Sequence, residues 1–156
     1  MSTQNELPMA LRSAYMALHR RTEAQFASHG VTADQFVLLA TLARGQALTQ
    51  RELARRMPSD PSTVTAMLVL LEKLGLVQRV THTTDARART VSLTAAGKRK
   101  LRKLWTAGEP IRTQMFSSLP PEEAEALVVL LTRVADALNA ECVAVGASTT
   151  FHAKED

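Results

Sequence analysis

The chain has 156 residues, 46% of them apolar, 22% charged and 4% aromatic, which fits one packed globular domain and excludes a disordered polypeptide. The apolar residues are mostly Ala, Leu and Val, with few Gly and Pro, so packed helices are favoured over a sandwich or barrel. The formal charge of +4 is unevenly spread: Arg44 to Lys103 holds 13 Lys/Arg against 4 Asp/Glu, whereas the remainder holds 6 against 11. A basic middle between acidic arms suits a polyanion on one surface.

A single cysteine, Cys142, excludes an intramolecular disulfide framework, and no Cys/His spacing suggests zinc. No metal and no cofactor is expected. Met1 through Pro8 lacks a basic segment followed by an apolar run, and no stretch approaches the ~20 apolar residues that span a bilayer. The expectation is a cytoplasmic protein without a membrane partner.

Leu7, Leu11, Tyr15, Leu18, Thr22 and Phe26 recur at steps of three and four, which predicts a first helix ended by Gly30. Thr32-Ala33-Asp34-Gln35 has the form of a capping box and opens a second, largely buried helix carrying Phe36, Val37, Leu39, Ala40 and Leu42 to about Arg44. A second box, Thr49-Gln50-Arg51-Glu52, starts a short helix with Leu53, Ala54 and Met57 inward and Arg51, Arg55 and Arg56 outward; Pro58 stops it. Ser59-Asp60-Pro61 then supplies an N-cap and a proline for the first helical position. Val64, Met67, Leu68, Leu71 and Leu74 form the buried stripe of the helix that follows, and Gly75 ends it.

Two short helices across a tight turn read as helix-turn-helix. Residues 76–81 and 90–93 alternate as two strands, and the polar, basic segment between them is a hairpin loop, the wing. Thr94 opens a longer helix containing Lys98-Arg99-Lys100-Leu101-Arg102-Lys103, with Gly108 and Pro110 as points of bending or interruption. Pro120-Pro121-Glu122-Glu123 starts a strongly apolar last helix through Leu127, Leu131 and Leu138; periodicity is lost after Val145. The fold expected is mainly α, a winged helix-turn-helix with a two-stranded wing. The DNA-reading part would span about 32–94, within a single domain over 1–145. Helices at 7–29 and 95–145 would form a dimerisation layer, and 146–156 a frayed tail. Apolar surface at both chain ends exceeds what a winged helix needs, and a symmetric homodimer would bury it.

Asp85-Ala86-Arg87 followed by Thr90-Val91-Ser92-Leu93-Thr94 resembles the wing signature of the MarR (multiple antibiotic resistance regulator) family. So do Pro61-Ser62-Thr63-Val64-Thr65, Leu71-Glu72-Lys73-Leu74-Gly75-Leu76-Val77 and Leu119-Pro120-Pro121-Glu122-Glu123, in the family's order. The pattern departs at Ala66, where relatives often carry an arginine. The resemblance implies a homodimeric transcription regulator, by default a repressor, that binds a pseudo-palindromic site in double-stranded DNA. Its recognition helices would enter major grooves and its wings minor grooves.

On that reading Ser62, Thr63 and Thr65 lie where a recognition helix meets base edges, although short hydroxyl side chains serve equally as helix caps. Arg87 and Arg89 are candidates for a narrow, electronegative minor groove, with Asp85 pairing to an arginine to hold the wing. Arg51, Arg55, Arg56 and Arg79 are candidates for backbone phosphates, and the Lys98 to Lys103 run is either a further phosphate contact or a solvated face. The family's commonest regulation, by small aromatic or lipophilic effectors, would draw on Tyr15, His19, Phe36 and Trp105 with Arg12 or Arg20, residues that also read as ordinary core. Alternatives are a redox response through Cys142 and a winged-helix interaction module without an operator. No nucleophile elbow, phosphate loop or HExxH spacing supports an enzyme.

Overall fold

A computed structural model describes residues 2–45, 47–57, 59–81 and 89–148, with the side chains of these residues through 140 except that of Thr81. The chain forms two compact units, Met1–Ile111 and Arg112–Asp156.

The first unit opens with helix α1 (Thr3–Phe26), which passes through Pro8 and tightens into a 3₁₀ turn over Ala27–His29. Gly30 closes it in the left-handed region at φ 68°, where a side chain would be strained. Of α1 only Phe26 is buried; Leu7, Leu11, Tyr15 and Leu18 are exposed. Helix α2 (Ala33–Gly45) begins with the expected capping box in full. The Gln35 N–H donates to Thr32 Oγ1, and the Thr32 N–H to Gln35 Oε1, each at 3.1 Å. A contact from outside the local sequence adds to this start: the Ala33 N–H donates to Glu23 Oε1 at 2.6 Å. Leu38, Leu39 and Leu42 bury completely, whereas Val37 turns outward.

The sheet has one strand more than the expected wing. Strand β1 (Ala47–Thr49) pairs antiparallel with β3 (Arg89–Leu93), which also pairs with β2 (Val77–Thr81), giving the order β1-β3-β2. Leu48 sits opposite Val91, and Arg89 opposite Thr81. Arg89 therefore belongs to a paired strand and not to the loop. Between β1 and β2 lie helices α3 (Gln50–Arg56) and α4 (Pro61–Lys73). Val64, Leu68 and Leu71 of α4 are fully buried, but Leu74 is 52% exposed, contrary to the stripe read from sequence.

The reason lies in how α4 ends. Gly75 is left-handed at φ 72°, its N–H donates to the Glu72 carbonyl, and the Leu76 N–H reaches back to Leu71, the paired bonds of a Schellman motif. The chain reverses there, so Leu76 enters the core and Leu74 does not.

Helix α5 (Ala95–Ala107) packs Leu101 and Leu104 inward, keeps Lys98, Arg99, Arg102 and Lys103 outside, and stops at Gly108, so the Gly-Pro region interrupts the helix. Lys100 Nζ donates to the His29 carbonyl at 2.5 Å, tying α5 to the turn after α1. Helix α6 (Glu109–Ser117) follows.

In the second unit, helix α7 (Pro121–Ser148) runs three residues past the point where periodicity fades. Leu127, Val128, Leu130, Leu131 and Leu138 are all exposed on it. Among the described residues no helix is long and apolar enough to cross a membrane.

Candidate nucleic-acid interface

The start of α4 is built by its cap. Asp60, in extended conformation, accepts the Thr63 N–H at 3.0 Å through Oδ1, and Pro61 takes the first helical position, where an N–H is dispensable. The same carboxylate receives the Ser62 hydroxyl on Oδ1 and the Thr63 hydroxyl on Oδ2, the latter at 2.7 Å. The hydroxyls of Ser62 and Thr63 hold the Asp60 carboxyl well below the usual carboxylate range. With Val64 turned into the core, Ser62, Thr63 and Thr65 are left exposed. Thr65 Oγ1 donates to the Pro61 carbonyl at 2.9 Å and accepts from Gln50 Nε2 at 3.1 Å, which links α4 to the first residue of α3.

A cleft of about 410 Å³ runs between these helices, floored by Ala54, Pro61 and Val64 and edged by Arg51 and Arg55. The Thr49 box is realised by half: the Glu52 N–H donates to Thr49 Oγ1 at 3.1 Å. The Glu52 carboxylate turns instead to Arg55 (3.2 Å) and Arg56 (3.1 Å). Arg51 is exposed and has no ion-pair partner among the described residues. Three cations against one acid leave α3 positive on its outer face.

Arg79 stands apart from this group. Its Nε lies 2.5 Å from Glu72 Oε2, so the end of α4 is clipped to β2, and the Arg79 side chain is only 20% exposed. Arg89 is exposed at the first position of β3. Asp85 and Arg87 lie outside the described residues, as does the side chain of Cys142.

The proposed effector residues fall into two ring groups. Phe36 stands edge-on between Phe26 (5.0 Å) and Trp105 (5.4 Å) and packs against the core. Tyr15 stacks on His19 at 5.8 Å, with His19 Nε2 3.9 Å from Glu23. Arg12 and Arg20 are exposed on α1. Among the described residues no cluster of His, Cys, Asp and Glu has a metal-binding arrangement.

Sequence reasoning missed the second task of Asp60, the Gln50–Thr65 link, and the acids that pair with Arg55, Arg56 and Arg79. The Asp-Pro-Ser-Thr run carried a legible signal for the first, because a carboxylate at an N-cap reaches hydroxyls two and three residues on.

Two helices joined by a short turn, the second presenting a capped, exposed start, with an antiparallel hairpin behind them, define a winged helix-turn-helix DNA-binding protein. Residues 31–88 match the model of the MarR family. The chain is 29% identical over 119 residues to the HTH-type transcriptional repressor MdtR of Bacillus subtilis, covering 76% of this chain and 77% of that one. Among solved structures it is similar to BpsR of Bordetella bronchiseptica, whose DNA binding is regulated by 6-hydroxynicotinic acid. That match has a TM-score of 0.77 and 25% identity, over 87% of this chain and 97% of that one. The fold is shared with a mutant E. coli MarR complexed with operator DNA, at a TM-score of 0.75 and 24% identity over 86% and 99% of the two chains. Over residues 31–88 the chain carries a segment that matches the MarR family, and the protein is a DNA-binding transcription regulator, not an enzyme.

Proposed function

We propose that the chain is a homodimeric repressor that reads a pseudo-palindromic operator through α4 and is released by a small aromatic or lipophilic ligand. The observation that carries the reading is the exposed start of α4, where Ser62, Thr63 and Thr65 stand beside a cleft edged by Arg51 and Arg55. Polar side chains at that position meet base edges, and arginines beside them meet phosphates. Arg56 and Arg89 extend the positive surface, and Arg87 would enter the minor groove, with Asp85 pairing to an arginine to hold the wing. Arg79 works as a clip for the fold first, because Glu72 already engages it.

Repression is supported by the likeness to MdtR, and ligand release by the likeness to BpsR. The residues proposed to meet the ligand are Tyr15, His19, Phe36 and Trp105, with Arg12 or Arg20 for a carboxylate. Residues 1–145 would act as one regulatory domain, with 32–94 reading DNA and 7–29 and 95–145 forming the dimer. The exposed leucines of α1 and α7 support the dimer: burying such a side chain stabilises by about 1.5–3 kcal/mol, so a second copy gains much by covering them.

The test is titration of the purified protein against its own upstream intergenic DNA and a scrambled duplex at two salt concentrations. Tight, site-selective, salt-sensitive binding by a dimer is expected; equal, weak binding to both duplexes would overturn the operator reading.

A further inference from the structure

The hydroxyls at the start of α4 have all committed their protons. Ser62 and Thr63 donate to Asp60, and Thr65 donates to the Pro61 carbonyl. A hydroxyl carries one proton and two lone-pair sites. Ser62 and Thr63 therefore present only lone pairs outward, and Thr65, which also accepts from Gln50, keeps one. The ionised carboxylate of Asp60 is itself an acceptor. Among the described residues the side-chain donors that line the cleft beside this row stand on α3, where Gln50, Arg51 and Arg55 face it.

In the major groove the base-edge donors are the N4 amino group of cytosine and the N6 amino group of adenine; guanine O6 and N7, adenine N7 and thymine O4 all accept. Serine and threonine in general serve either kind of atom. Here Asp60 removes that freedom. We infer that the start of α4 recognises exocyclic amino groups, of adenine or cytosine, and that Asp60 determines this specificity by fixing Ser62 and Thr63 as acceptors. The inference rests on the DNA-reading role proposed for α4 and adds its polarity. Where a ring nitrogen or carbonyl faces the fixed hydroxyls instead, acceptor meets acceptor, and both stay unpaired in a desolvated interface. Asp60 also repels nearby phosphate, so the device sacrifices affinity for discrimination.

The test begins with selection of a preferred site from a random duplex library by the full-length chain. Single base analogues are then placed across one half-site. Purine in place of adenine, or a cytosine analogue without the 4-amino group, deletes a donor; a 7-deazapurine deletes an acceptor. At one or two positions per half-site, donor deletion is expected to weaken wild-type binding about tenfold. The same deletion should cost Ser62→Ala or Thr63→Ala almost nothing, and acceptor deletion at those positions should leave wild-type affinity unchanged. Asp60→Asn keeps an acceptor for the Thr63 N–H but adds an amide donor, so the hydroxyl protons can turn outward and the base preferred at those positions changes.

Dependence of an acceptor contact on Ser62 or Thr63 would overturn the inference, as would donor deletions that cost the wild type and both alanine variants equally. The alanine variants leave the Asp60 cap in place, so this comparison stands even where Asp60→Asn is too unstable to use. A library from which no sequence is enriched defeats the operator reading itself, and is recognised as such before any analogue is made.

Discussion

The hydroxyl of Thr94 donates to the backbone carbonyl of Gly75 at 2.6 Å while accepting the N–H of Gly97 at 3.0 Å. The Thr94 N–H adds a bond to the Leu76 carbonyl at 3.1 Å. One residue thus caps α5 and fastens it to the turn by which α4 becomes β2. Thr94→Ala is expected to lower unfolding stability by about 1–2 kcal/mol, the loss of an N-cap and of a second hydrogen bond. Urea denaturation measures it; a shift under 0.3 kcal/mol would mean that the cap carries no stability.

Gly97 is needed for closeness and not for its torsion angles. A Cβ there would lie 2.0 Å from the Leu76 carbonyl oxygen, a backbone atom that no side-chain rotation can withdraw, so α5 or the turn leading into β2 must move. Gly97→Ala should destabilise by about 1–3 kcal/mol despite the better helix propensity of alanine. A variant as stable as the wild type would contradict this packing.

Arg51 and Arg79 should separate cleanly. Arg51→Ala, which breaks no ion pair among the described residues, is expected to leave the melting temperature unchanged while lowering the salt dependence of DNA binding by about one counterion. Arg79→Ala should instead cost about 0.5–1 kcal/mol of stability by releasing Glu72. Calorimetry and binding at several salt concentrations would expose a reversal of these roles.

Asp60 links the cap to pH. Its carboxyl is depressed in the folded chain, so it contributes stability that is fully present above the unfolded value of about 3.9 and is lost as pH falls through the lower folded value. The stability gap between wild type and Asp60→Asn should therefore stay constant from pH 7 to about 4 and narrow only below that. Denaturation midpoints in a pH series decide it; a gap already closing between pH 7 and 5 would assign the effect to another group.

Leu11 on α1 and Leu131 on α7 are exposed at 38% and 40%. Leu11→Glu and Leu131→Glu should each shift sedimentation from dimer to monomer and abolish site-selective binding, since a charge buried in an apolar interface is costly. Dimers of unchanged affinity would place the interface elsewhere.

Helix starts were legible because capping is local: Thr32 with Gln35, Thr49 with Glu52, and Asp60 before Pro61 all act within three residues. Strand β1 was not, because Ala47-Leu48-Thr49 is too short to alternate and becomes a strand only by pairing with residues 90–92. Leu74 was misplaced because a helical stripe continues on paper past a chain reversal that Gly75 introduces. The site was half readable. Residue types marked the α3–α4 face, but whether each arginine is available depends on Glu52 and Glu72, and the seven positions from Glu72 to Arg79 cross a turn that periodicity does not describe.

Strand β1 ends at Thr49, and Thr49 is the cap of α3. Because β1 is laced to β3 at three positions and β3 to β2 at five, the hairpin and the first helix of the DNA-reading pair share one backbone ladder. They are geared together. A movement of the paired strands must carry α3 with it, so in the proposed DNA-bound state this part of the molecule would act as a stiff gauge of fixed span, and any adjustment to a poorly spaced operator would have to come from outside that ladder.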